Sequence, residues 1–288
     1  MWPPFPSSCI PMIDLRSPLA ALALAAAPLA SAAPEYADAV LFDEPVAFYR
    51  FSETSGSEVG NAASDRAGEA SETGVDLGVD GPEAGGFGPS NSAAAFDRGE
   101  GGVVRLGTGL TRSLAGASAV TLEFWLEVTS DVLSGFKNQN LTPVFVGTAK
   151  GGGITTGVNA SIRNGRLRIG GRSIGGDGFQ AGQYVKLAPH AGGFVHVAGV
   201  VDFAGKTITT YFNGERVDES SVAFQADTFQ PGERPAGIGA VLDGEGGATN
   251  GHHGRIDEVA FYAEGLPEDR IAAHHAAGSG TPAVAEPR

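Results

Sequence analysis

The chain has little cysteine, little positive charge and no apolar run long enough to cross a bilayer, and each shortage removes a class of protein. Cys9 is the only cysteine in 288 residues. It precedes the apolar run Leu19–Leu29, so a chain cut after that run has neither disulfide nor thiol nucleophile. A lipoprotein cysteine follows such a run, so lipidation is not expected. Stability must then come from a packed core, which roughly 240 residues can supply without covalent staples. Lys and Arg number 19 against 33 Asp and Glu, a net charge of −14. A surface of that sign repels nucleic acid phosphates and anionic membranes. It is compatible with neutral sugars or divalent cations. Leu19–Leu29 is shorter than the roughly 20 residues a membrane span needs.

Catalytic signatures are equally sparse. The sequence contains no H-E-x-x-H, and its one G-x-S-x-G match, Gly171–Gly175 (GRSIG), falls in a Gly-rich stretch that reads as a flexible loop and not as a strand-to-helix elbow. Asp76–Gly81 (DLGVDG) fails the EF-hand pattern, with Gly at its third position and Phe87 at its twelfth. His252-His253 fall in a Gly-rich loop. His274-His275 sit near a helix end, where neighbours diverge by about 100° and cannot readily share a metal.

What is present divides the chain into three parts. Arg16, the apolar run and Ala30-Ser31-Ala32 read as a signal peptide with a small-x-small cleavage site. Residues 1–33 are therefore an N-terminal extension and signal peptide, with Met12 as a second candidate start. The mature protein is expected to be secreted, extracellular or periplasmic, with no stable membrane span. Residues 34–278 form the folded domain, and 279–288 a flexible tail.

Within the domain, Pro34–Glu44 reads as a lead-in and residues 55–92 as a long irregular excursion. Thr121–Val128 (TLEFWLEV) alternates strictly: Leu122, Phe124, Leu126 and Val128 take the core face, and Glu123, Trp125 and Glu127 the other. Asn164-Gly165 and Asn213-Gly214 supply two-residue hairpin turns, since both residues tolerate positive φ. Arg255–Tyr262 is the last strand, placing Asp257 on one face with Val259 and Phe261. Pro267, Glu268 and Asp269 open one short C-terminal helix, for which Gly278 is the expected stop. Many short strands with Gly-rich turns indicate an all-β, two-sheet jelly-roll sandwich.

Val46–Gly56 (VAFYRFSETSG), Ala93–Asp97 (AAAFD), Thr121–Leu126, Val195–Val217 (VHVAGVVDFAGKTITTYFNGERV) and Gly254–Gly278 follow one another in a familiar order. Together they resemble the laminin-G-like jelly-roll domains of the concanavalin A-like lectin/glucanase superfamily. The resemblance implies a non-catalytic recognition or structural module that binds an extracellular or cell-surface glycan. A polysaccharide-active hydrolase or lyase of the same fold is the alternative. Enzymes of this fold carry acids as Glu-x-Asp-x-x-Glu on one strand, and no such run occurs. Glu123 and Glu127 beside Trp125 are the nearest equivalent and the candidate ligand-binding residues. Trp125 either stacks on a sugar or packs under a crossing loop. The resemblance also implies Ca²⁺ at the sandwich edge, with Glu53, Asp97 and Asp257 as ligands; capping of turns and backbone amides accounts for the same residues.

Overall fold

Alternating apolar residues and glycine-assisted turns generate two antiparallel sheets in this computed structural model, which describes Met1 and residues 35–71, 73–88, 91–134, 139–147, 157–174, 178–232, 234–243 and 245–281. The expected signal peptide lies outside the described residues, as does the tail beyond Thr281. In chain order the strands are β1 (Ala47–Tyr49), β2 (Glu58–Val59), β3 (Gly68–Ala70), β4 (Val75–Asp80), β5 (Ser92–Phe96), β6 (Val104–Gly107), β7 (Ala119–Glu127), β8 (Leu141–Val146) and β9 (Val158–Arg163). They continue as β10 (Arg166–Gly171), β11 (Gln180–Ala181), β12 (Val185–Lys186), β13 (Phe194–Asp202), β14 (Thr207–Phe212), β15 (Glu215–Ser221), β16 (Ala236–Ile238), β17 (Val241–Leu242), β18 (Ala248–Thr249) and β19 (Gly254–Tyr262). The α-helices are α1 (Tyr36–Phe42), α2 (Gly109–Ser113), α3 (Ser130–Ser134) and α4 (Glu268–Ser279).

One sheet has the order β15-β14-β13-β7-β19-β5-β4, with β1 also paired to β19. The other runs β11-β10-β9-β8-β16-β6-β3-β2, with β12 also paired to β10. Their facing sides share one core. Leu122, Phe124 and Leu126 of β7 and Val195 and Val197 of β13 meet Val144, Ala160, Ile162, Leu167 and Ile169 of the second sheet. Each such large apolar side chain, fully buried, contributes about 1.5–3 kcal/mol. The sandwich is therefore the two-sheet, all-β form with a C-terminal helix.

The hairpins follow their turn residues. Asn164 and Gly165 take φ of 51° and 70°, and Asn213 and Gly214 take 51° and 77°, both pairs in the left-handed region. These turns set β9 against β10 and β14 against β15.

Several expectations require correction. The lead-in contains α1, whose Tyr36, Ala37, Ala39 and Val40 are buried; seven residues are too few to display a helical period. The irregular excursion contains β2, β3 and β4, the last an edge strand whose Val75, Leu77 and Val79 alternate with two acids and Gly78. Gly278 does not stop α4, which runs to Ser279 and ends on left-handed Gly280. Pro267 precedes the helix as its N-cap. Asp257 does not share a face with Val259 and Phe261. The β19–β7 register shifts between Asp257 and Ala260, and Glu258 takes φ of 52°, so a bulge absorbs one residue. Asp257 then lies opposite Trp125, on the face away from the core.

Candidate functional site

The outer face of the first sheet is not bare. Tyr36 and Val40 of α1, Ile271 of α4 and Phe87 of an intervening loop cover Trp125, Ala198, Tyr211, Ala260 and Tyr262, forming a second apolar layer. Trp125 is only 4% exposed. Its ring meets Phe87 edge-on at 5.0 Å and Tyr36 at 5.9 Å, and stacks with His275 at 5.9 Å. Its indole N–H is buried without an acceptor. Gly278 makes the contact feasible, because a Cβ there would lie 2.6 Å from the Trp125 ring.

Glu123 shares that face as β7 alternation requires, yet its side chain is wholly buried. It accepts hydrogen bonds from the Tyr36 hydroxyl at 2.7 Å, His196 Nε2 at 2.8 Å, His274 Nδ1 at 2.9 Å and the Tyr262 hydroxyl at 3.3 Å. His274 Nε2 reaches Asp43 at 2.8 Å, and Arg270 pairs with the same carboxylate. A histidine with a carboxylate at each ring nitrogen donates from both and carries a charge. Burial alone would lower the His274 pKa, but Glu123 and Asp43 outweigh it and raise it. Burial likewise would raise Glu123, but His274 and His196 hold it well below the carboxylate range. The result is a closed ion network that ties α1 and α4 to the sheet. Its oxygens face protein donors.

Glu127, two alternations further along β7, is different. It lies 19% exposed beside Arg255, whose Nε and Nη2 donate to its two oxygens at 2.8 and 2.6 Å. Hydrogen bonds from Arg255 hold its carboxyl below the usual value despite partial burial. The guanidinium also lies over the Phe194 ring at 5.2 Å and donates to the Asp80 carbonyl. Trp125, Glu127, Phe194, Arg255, Pro82 and Glu83 line a cavity of about 410 Å³. Thus one fork-shaped ion pair and two aromatic side chains converge on an open depression. Trp125 and Glu127 come together there, whereas Glu123 lies beneath the helical layer. Phe194 and Arg255 were not readable as site residues, because their approach to Glu127 depends on the pairing of β13 and β19 with β7.

The carboxylates considered for calcium serve separate partners. Glu53 accepts the Gly60 N–H at 2.8 Å, and Asp97 accepts that of Gly99 at 2.6 Å. Asp257 is buried, accepting from Asn91 at 2.8 Å and the Glu258 N–H at 2.9 Å. Burial and the Glu258 charge push its carboxyl well above the usual range. Among the described residues no group of three or more His, Cys, Asp or Glu side chains can hold a metal. Each of the three thus accepts from a protein donor of its own. Asn159-Ala160-Ser161 matches the N-x-S/T glycosylation pattern, but Asn159 is 1% exposed and inaccessible as an acceptor.

A family model described as Laminin_G_3, concanavalin A-like lectin/glucanases superfamily, matches residues 98–272. No match among curated proteins is found. Among solved structures, the receptor-binding domain of botulinum neurotoxin mosaic serotype C/D is similar with a TM-score of 0.56 at 10% identity, over 81% of this chain and 50% of that one. The botulinum neurotoxin serotype D ligand binding domain, solved in complex with N-acetylneuraminic acid, gives 0.53 at 12% identity over 82% and 52%. The serotype C1 binding domain gives 0.54 at 12% identity over 81% and 52%. The chain spans about half the length of these structures, and at such identity the likeness is one of fold.

Proposed function

The chain belongs to the Laminin_G_3 family of the concanavalin A-like lectin/glucanase superfamily, and from that premise we propose that it is an exported, non-catalytic module that recognises glycans. Membership alone does not decide this, since one fold hosts many functions. The observation that carries the reading is the cavity where Arg255–Glu127, Phe194 and Trp125 converge. Sugar rings present apolar C–H faces and rows of hydroxyls. Phe194 suits the former, and the fixed guanidinium–carboxylate pair supplies donors and acceptors for the latter. Glu123 enters as the buried anion that holds the helical layer against Trp125, and makes no sugar contact. The N-acetylneuraminic acid complex of a similarly folded toxin domain supports a sugar as ligand class. The Ala/Leu run before residue 33 supports export to the extracellular or periplasmic side.

A hydrolytic reading draws on Asp80 and Glu83, which line the same cavity as Glu127. One experiment separates the two. Full-length protein is passed over a panel of immobilised polysaccharides, and the eluate is checked for released sugars. Retention without products is expected, and Phe194→Ala and Arg255→Gln should each weaken it about tenfold, or about 1.4 kcal/mol. Products that disappear in Glu83→Gln or Glu127→Gln would establish the hydrolase instead. Binding to the panel that ignores both cavity variants would remove the cavity from the account.

A further inference from the structure

Charge along this acidic chain is segregated. Between residues 132 and 201 the only acid is Asp177, while Lys137, Lys150, Arg163, Arg166, Arg168, Arg172 and Lys186 all fall there. The described members gather on the second sheet. Arg166 of β10 lies directly opposite Arg163 of β9 on one side and Lys186 of β12 on the other. All three are exposed. Strands stand about 4.8 Å apart, so these cations form a row roughly 10 Å long across the sheet. Among the described residues none of the three has an ion-pair partner, and neither does Arg168. Like charges facing each other on an antiparallel pair are destabilising, so the row costs the fold stability and calls for an anion.

Arg168 adds a fixed fork to that row. Its guanidinium lies over the Tyr184 ring at 4.5 Å and the Phe179 ring at 5.4 Å, with Ser161 Oγ 3.4 Å from Nε. Phe179 packs over bare Gly170, where a Cβ would meet its ring at 2.6 Å. Asn159, opposite Gly170 in the ladder, is buried with neither amide atom hydrogen-bonded. A planar guanidinium held against two aromatic rings is ordered before it meets a carboxylate or sulfate.

We propose that the outer face of β9, β10 and β12 binds an acidic polysaccharide, with Arg163, Arg166, Arg168 and Lys186 receiving its carboxylates or sulfates. This surface is independent of the Trp125 cavity, which lies on the other sheet. A polysaccharide fits better than nucleic acid, because the net charge of −14 opposes a partner carrying one charge per 1.7 Å. A membrane fits less well, because the exposed large apolar side chains described between residues 35 and 281, Leu41, Phe42 and Val217, lie off this face.

The test uses full-length protein with heparin, polygalacturonate, a neutral glucan, single-stranded DNA and vesicles containing anionic lipid. Binding to one or both acidic polysaccharides, but not to the glucan, is expected; heparin alone assigns sulfate and polygalacturonate alone assigns carboxylate. The affinity should fall with salt, and each of Arg163→Gln, Arg166→Gln and Lys186→Gln should reduce the log–log salt slope by about one. The same variants should melt no lower than the parent, because each relieves like-charge opposition. Phe194→Ala should leave this binding unchanged, so failure here and failure of the cavity reading are separable. Absence of acidic-polysaccharide binding at low salt overturns the proposal, as does tighter binding of DNA or vesicles. Variants that aggregate while polyanion affinity stays unchanged would assign the row to edge protection instead.

Discussion

Glu123 shows how one residue can look like chemistry in sequence and act as architecture in the fold. Strict alternation placed it beside Trp125 and Glu127, and that placement is correct. What alternation does not reveal is the layer above the face. Tyr36, His196 and the closing segment that carries Tyr262 and His274 are three distant parts of the chain, and each of the four side chains donates to this one carboxylate. The network is near neutral, since His274 and Arg270 offset Glu123 and Asp43. Removing one member of a buried ion network costs about 3–5 kcal/mol, because the partners stay desolvated. Glu123→Gln exchanges an anion for an amide with only one accepting oxygen. We expect urea unfolding of this variant at pH 7 to show a loss in that range and His274 to titrate lower. A loss below about 1 kcal/mol would mean that the network orders the helices without stabilising them.

At the scale of elements, what could be read and what could not divides along a physical line. β7, β13, β14 and the Asn-Gly hairpins were legible because alternation and positive-φ turn residues are local properties. The face of Asp257 was not, since the bulge at Glu258 is a compromise between β19 and β7 that neither strand encodes alone. The α4 terminus was misplaced for a related reason. Gly278 looks like a stop, yet it lies inside the helix because three aromatic rings occupy the space of its absent side chain. Gly278→Ala separates these roles. Helix propensity favours alanine by about 1 kcal/mol. Against that, the new Cβ would sit 2.6 Å from Trp125 and 3.0 Å from both Phe87 and Tyr36. Overpacking against fixed rings costs typically 1–3 kcal/mol, so a lower melting temperature is expected. An increase would show that the α4–Trp125 contact yields easily. The candidate site was half legible for the same reason: Trp125 and Glu127 are neighbours on one strand, while Phe194 and Arg255 reach them through tertiary pairing.

Over the whole molecule, buried titratable groups pull stability in opposite directions with pH. Burial, together with the nearby His253 charge, lowers His252 to about 3, and burial beside His196 lowers His275 to about 4. Unfolded histidines take up protons near 6.5. In the window from about 6.5 down to those lowered values the unfolded chain binds more protons, so these groups destabilise the fold as pH falls. Glu258 has the opposite sign. Burial raises it to about 7 despite the Arg50 partner, so the folded state binds the extra proton between about 7 and 4.3 and gains stability as pH falls. The opposed slopes flatten the profile of the parent protein between pH 5 and 6.5. His252 is the cleaner lever, being fully buried beside Phe96 with both ring nitrogens unpartnered. His252→Leu removes a slope of up to about 1.4 kcal/mol per pH unit. Urea midpoints of parent and variant at pH 7.5 and pH 5 should therefore diverge, the variant gaining relative stability on the acid side. Equal differences at both pH values would mean that His252 meets water in the folded state and titrates as it does in the unfolded chain.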